Sequence, residues 1–364
     1  ANTMTILVIG ATGRVGRHVV DQLVQRDAQV RVLTRDPAKA DFPGNVEVVQ
    51  GDLLDIDALR AALSGTRTLF LLNAVTGDEF TQAIITLNLA HEAGIERVVY
   101  LSVFQADRAV NVPHFAVKFG AERMLAAMGF GATILRPTYF IDNEAMVKDV
   151  ILQHGVYPMP IGGKGLAMVD ARDIAEVAAI ELIRRDASAS MLPTETINLV
   201  GPDTLTGADV AAIWSDVLGR PVIYGGDDPT GFEQNMASFL PRWTAYEMRL
   251  MAERYVSDGM IPEEGDRERL IALLDSLTAE IGATEPWAHP KAAELDAISW
   301  SEWLEQQTDD VEARDNIALF IAEAMLTKPS HAFSALQAIL MAASAGSFSH
   351  LVDADYILDK RVAG

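Results

Sequence analysis

Thr5-Ile6-Leu7-Val8-Ile9-Gly10-Ala11-Thr12-Gly13-Arg14-Val15-Gly16 is the stretch that decides the fold. Five residues suited to a buried strand stop at Gly10, and an apolar-periodic helix follows from about Arg14 to Gln25. Glycines at such a junction serve a tight turn, the close approach of a pyrophosphate, and helix–strand packing. The helix that opens there turns free N–H groups and the positive end of its dipole toward a phosphate. Gly10, Thr12, Gly13, Arg14, Val15 and Gly16 are therefore the first candidate binding residues.

The same rhythm continues outward. Strands are expected at Gln29 to Thr34, Val46 to Gln50, Leu69 to Asn73, Arg97 to Ser102 and Ala132 to Leu135. Helices are expected at Asp55–Leu63, Phe80–Ala93 and Lys118–Met128. Short apolar strands alternating with helices predict an α/β chain, a doubly wound parallel sheet covered on both faces. From about Asn143 the pattern loosens into what reads as a smaller substrate-side lobe. It contains a Gly- and Pro-rich loop (Gly155–Gly165), a helix entered through Asp170 or Asp173, and a strand at Thr196–Val200.

Past residue 266 strand signals all but vanish. Glu268–Ile281, Ser299–Gln307, Val311–Leu326 and Ser330–Ser344 read as four helices, so residues 1–266 and 267–364 are taken as two domains. Net charge is −13 in the first and −9 in the second, so it does not mark the boundary. The long apolar faces expected on the last two helices favour association, and a homodimer through them is one expectation.

Composition removes several classes of function. With 29 Lys plus Arg against 51 Asp plus Glu, a net charge of −22 repels nucleic acid and anionic membranes. No uncharged apolar run approaches the roughly 18 residues of a membrane helix. The absence of Cys rules out thiolate nucleophiles, Cys-ligated zinc and iron–sulfur clusters. It also suits a cytoplasmic location, as does a chain that enters a strand without a signal-peptide pattern. The seven His show no metal-ligand spacing, so no metal is expected. A small-molecule substrate is.

Cofactor choice turns on the end of the second strand. An acidic residue there would bind the ribose 2′-hydroxyl of NAD. Instead the strand runs into Thr34-Arg35-Asp36-Pro37-Ala38-Lys39. Arg35 could pair bidentately with a 2′-phosphate, and Lys39 could add charge. The other reading is a solvated Arg that Asp36 neutralises. NADP(H) is favoured. Asp52, after the third strand, would lie beside the adenine or else cap a helix, and Asn73 closes the set at the fourth strand.

With Leu135-Arg136-Pro137-Thr138-Tyr139-Phe140-Ile141-Asp142-Asn143 added, residues 4–266 resemble the NmrA-like branch of the atypical short-chain dehydrogenases/reductases. The resemblance implies a Rossmann fold, NADP(H) binding with Pro137 beside the cofactor, and either reductase or redox-sensor function. The superfamily's Ser on the fifth strand corresponds to Ser102. Its Tyr-x-x-x-Lys corresponds to His114-Phe115-Ala116-Val117-Lys118, which implies that Lys118 holds the nicotinamide ribose. His114 stands where the proton-donating Tyr should be, either as a donor or as a pocket wall. Tyr139 is a second candidate donor. Losing the Tyr puts carbonyl reduction in doubt but leaves hydride transfer to a quinone, enone or imine.

Glu285-Pro286-Trp287-Ala288-His289-Pro290, Glu302-Trp303-Leu304 and Ala332-Phe333-Ser334-Ala335-Leu336-Gln337-Ala338 resemble something else, the helical substrate-domain segment of flavin amine oxidases, nearest to putrescine oxidase. That family's flavin-binding segments have no counterpart here, so FAD is not expected. Two families meeting near Leu270 suggest a chimera. A reductase, a catalytically weak NADP(H) sensor or scaffold, and an imine reductase or amine dehydrogenase are the functions this sequence admits.

Overall fold

The computed structural model describes residues 5–262, 266–308, 311–322, 326 and 328–352. It divides into two compact units between Ile261 and Pro262.

The first unit alternates β1 (Thr5–Ile9), α1 (Arg14–Gln25), β2 (Gln29–Thr34), β3 (Glu47–Gln50), α2 (Ile56–Leu63), β4 (Thr66–Leu71), α3 (Glu79–Glu92), β5 (Arg97–Leu101), α4 (Pro113–Ala127) and β6 (Gly131–Pro137). Next come α5 (Lys148–His154), β7 (Val156–Tyr157), α6 (Ala171–Ala187), β8 (Glu195–Leu199), α7 (Gly207–Leu218), β9 (Ile223–Tyr224), α8 (Pro229–Met236) and α9 (Arg242–Asp258). Seven strands form one parallel sheet in the order β3-β2-β1-β4-β5-β6-β8. Because both faces are covered, alternate residues of β1 serve different cores. Ile6 and Val8 join Val15, Val19 and Leu23 of α1, whereas Leu7 and Ile9 join Leu59, Leu63, Leu87 and Leu125 of α2, α3 and α4.

Two elements read as part of the smaller lobe belong to the main sheet and its cover. Helix α6 packs on α1 through Ile174, Ala175, Ala178, Ala179 and Leu182, and β8 is the seventh strand, beside β6. The alanines bring the two helices close, a property of side-chain size that periodicity alone does not signal. Helix α4 starts at Pro113, before the expected Lys118, with proline in the first turn where its missing N–H costs nothing. The expected loop at 155–165 contains β7, which pairs with β9 in a small second sheet. The lobe's own core gathers Phe104, Phe115, Tyr139, Tyr157, Met168, Phe232 and Tyr255.

The second unit contains α10 (Asp266–Ile281), α11 (Ala292–Ala297), α12 (Trp300–Gln307), α13 (Val311–Ile321), α14 (Ala335–Ser344) and α15 (Phe348–Val352). Leu270, Leu274, Trp300, Leu304, Ile317, Ile339, Ala342 and Phe348 make one core. Trp300 stacks on Trp303, centroids 5.5 Å apart. The expected helix at 330–344 is a short turn followed by α14, which Ser334 caps. Of the apolar faces on which the expectation of a dimer rested, the described Ile317, Ile321, Ile339 and Ala342 are buried in this core. No described helix is long and apolar enough to cross a membrane.

Asp170, rather than Asp173, caps α6. It accepts the Arg172 N–H at 2.8 Å and pairs with the Arg172 guanidinium at 2.6 Å. These bonds hold its carboxyl down to about 2. The stabilisation is thus complete above the carboxyl's ordinary value near 3.8 and is lost as pH falls through about 2. Asp170→Ala should cost ~1 kcal/mol at neutral pH, read as roughly fivefold faster hydrogen exchange of the α6 amides. The gap to wild type should narrow below pH ~4.

Candidate functional site

Chain order reverses at β1 and β4, which are neighbours in the sheet although their following helices cover opposite faces. A crevice opens at the carboxyl ends of such a pair. Here it is a cleft of about 870 Å³ lined by Gly10, Thr12, Gly13, Arg17, Arg35, Asp52 and Asn73, among others.

Its floor depends on missing side chains. Gly10 has φ +83°, and a Cβ there would lie 2.7 Å from the Leu72 carbonyl oxygen. A Cβ at Gly16 would lie 2.0 Å from the Gly10 carbonyl oxygen. Gly13 is the N-cap of α1 and offers no side-chain cap, so the first N–H groups of a 12-residue helix are left for a ligand.

Around this floor the expected residues divide. Arg35 is exposed at the rim, and no ion pair to a described residue engages its guanidinium. Asp36, its expected neutraliser, accepts the Ala38 N–H at 3.2 Å and caps the turn at Pro37–Lys39. The Lys39 side chain lies outside the described residues. Asp52 lines the cleft and accepts the Leu54 N–H at 2.9 Å, while the cap of α2 is Asp55. Asn73 is buried, and both polar atoms of its amide lack a partner. Arg14 turns aside to the Asp142 carbonyl at 3.0 Å, Val15 is buried in the core, and Pro137 ends β6. Arg17, one turn into α1, is a cleft residue the sequence reading passed over. A glycine floor with no room for Cβ atoms, an open helix end and an orphaned buried amide fit a dinucleotide.

Each of the four catalytic candidates meets a glutamate that the sequence reading did not single out. Lys118 donates to Glu79 Oε1 at 2.7 Å, both groups buried, with the amine 5.9 Å from the centre of the Tyr100 ring. Burial raises the Glu79 carboxyl above its usual range although Lys118 opposes the shift, and its Oε2 has no partner. His114 faces Glu247 on α9, Nδ1 to Oε1 at 2.7 Å. Burial would push the Glu247 carboxyl up, but hydrogen bonds from His114 outweigh it and the carboxyl is lowered.

The other two are held differently. Ser102 donates to Glu122, whose two oxygens are gripped by Arg136 at 3.0 and 2.6 Å. Tyr139 donates to Glu144 at 3.3 Å, as do Tyr157 at 2.9 Å and the Trp214 indole at 3.3 Å. Burial, then the neighbouring carboxylate, lifts the Tyr139 hydroxyl well above its ordinary value. The structure thus brings Lys118 and His114 together around Glu79, which feels both charges, and gives the Ser102 and Tyr139 hydroxyls other partners.

Glu122 follows Lys118 by one helical turn and Glu79 stands just before the expected helix at Phe80, but neither spacing names the partner found. Glu247, 133 residues from His114, left no signal. A second cleft of about 370 Å³, apolar and lined by Val147, Phe232, Met236, Phe239 and Leu240, opens in the lobe. Among the described residues no cluster of His, Asp and Glu is arranged to hold a metal.

Comparison with known proteins finds two kinds of relative. Over 99 residues it is 68% identical to putrescine oxidase of Kocuria rosea, which is 27% of this chain and 21% of that enzyme. Over 226 residues it is 31% identical to an NAD(P)H azoreductase of Xenophilus azovorans, 60% of this chain and 76% of that one. The NADPH-dependent quinone oxidoreductase of Escherichia coli, solved with NADPH, superposes with a TM-score of 0.64 at 26% identity. That likeness covers 72% of this chain and 92% of the other. Two resemblances in one polypeptide are consistent with a chimera. The match that spans most of it, residues 2–295, is to a single family, and with the parallel sheet and glycine floor described above it places the chain in the NmrA-like family.

Proposed function

We propose that the chain is an NADPH-dependent reductase acting on a small quinone, enone or imine. The observation that carries this reading is the cleft itself, which sets a glycine floor and an open helix end beside an Arg35 guanidinium that no described carboxylate pairs with. The quinone oxidoreductase and azoreductase relatives support it. An azo bond asks for the same chemistry. The bound dinucleotide supplies the hydride.

The protein's own residues do the rest. Gly10, Gly13 and the start of α1 hold the pyrophosphate, and Arg35 the 2′-phosphate. Asp52 lies toward the adenine, and Asn73 offers its amide to the cofactor. Lys118 binds ribose hydroxyls from its place against Glu79. His114 is the proton donor. A second reading, an NADP(H) sensor with little turnover, draws on the carboxylate partners that engage all four candidates, Ser102, His114, Lys118 and Tyr139, with only the His114 imidazole half-buried rather than buried.

Arg35→Ala should weaken NADPH binding roughly 10–150-fold, the loss of a charge-assisted pair of about 1.5–3 kcal/mol, with NADH affinity unchanged. Fluorescence titration with both cofactors measures it, and an unaltered preference would remove Arg35 from the site. The purified protein should also be colourless, since the oxidase-like part lacks flavin-gripping segments. Stoichiometric FAD in its absorbance spectrum would contradict that assignment.

A further inference from the structure

We infer that Glu247 is a positioning residue. It fixes the His114 imidazole through Nδ1 so that Nε2 is the nitrogen that meets the substrate. The inference rests on the proposed role of His114 as proton donor.

The start of α4 explains why a residue so distant is needed. Val112 is the N-cap and offers no side-chain acceptor, and Pro113 has no N–H to satisfy. The His114 N–H is the first amide of the helix that needs a partner. Glu247 Oε1 accepts it at 2.5 Å, and the same oxygen accepts from Nδ1 at 2.7 Å. One carboxylate therefore caps α4 at the positive end of its dipole and holds the ring of the residue it caps. Two bonds to one atom fix both the backbone and the side chain of His114. Phe115 restrains the ring further, edge to face at 4.7 Å.

The consequences for the imidazole follow from its tautomer. An acceptor-only carboxylate at Nδ1 demands a proton there. In the neutral ring Nε2 is then the lone-pair nitrogen, and in the protonated ring it carries the proton that can leave. Glu247 is buried, whereas 15% of the imidazole surface is exposed, so the ring is reachable and its orienter is not. The other charged groups that act on this cluster are Glu79 on α3 and Lys118 on α4 itself.

Reduction of an azo dye shows the balance. Hydride brings two electrons and one hydrogen to one nitrogen of the N=N bond. His114 gives its Nε2 proton to the other nitrogen and takes a proton from water. The product is the hydrazo compound, and the cofactor leaves oxidised.

The test uses the full chain, NADPH and methyl red. His114→Phe should lower turnover ~10²-fold or more with NADPH affinity within about twofold. Glu247→Gln keeps an acceptor for the helix but no longer dictates the tautomer, and should lower turnover about tenfold or more at unchanged NADPH affinity. In the His114→Phe background Glu247→Gln should have no further effect, because the ring it holds is gone. Nitrogen-15 NMR of the free protein at alkaline pH should show the His114 proton on Nδ1, and Glu247→Gln should abolish that preference.

Turnover indifferent to His114→Phe would overturn the proton-donor reading. Turnover sensitive to His114→Phe but not to Glu247→Gln, equal losses in both backgrounds, or a wild-type ring protonated on Nε2 would overturn the role of Glu247 alone.

Discussion

The closeness of α1 to the turn that precedes it is the constraint on which the site depends. With Gly16 pressed against the Gly10 carbonyl, nothing larger than hydrogen fits between them, and the axis of α1 is set against β1. That placement aims the open helix end along the crevice between β1 and β4. It also seats Val15, Val19 and Leu23 against the alanines of α6, so one contact positions both the anion site and half of the sheet's cover.

Among the buried carboxylates, electrostatics takes over from packing. A chain with a net charge of −22 places Glu79, Glu122 and Glu247 out of water, and each must find a donor or pay the desolvation of a bare carboxylate. Arg136, Ser102, Lys118 and His114 are those donors. Such pairs gain little over apolar side chains of equal volume, yet breaking one strands the other charge. Their main effect is geometric, holding an amine and an imidazole where loose side chains would sample many rotamers. Glu144, met by two phenols and an indole, does the same for the lobe.

The sheet was legible because short continuous apolar runs, glycine stops and helix periodicity are local signals. The cleft was legible for the same reason, since Gly10, Thr12, Gly13, Arg35, Asp52 and Asn73 each sit just past a strand. The place of α6 and β8 with the main sheet was not, because close packing of Ala175, Ala178 and Ala179 depends on α1, far upstream in the chain. The carboxylate partners were hidden more deeply. In sequence, Glu247 is one of 51 acids on an acidic chain, and its effect on His114 exists only once α9 packs beside α4.

The core of the second unit has a consequence for how this polypeptide comes apart. Among the described residues, Trp300, Leu274, Ile339 and Phe348 share one core within the second unit, and the first unit has three cores of its own. Each unit therefore has an apolar core of its own to fold around. A single melting temperature would then average over two cooperative events, and mutational free energies carry meaning only when assigned to the unit that was perturbed.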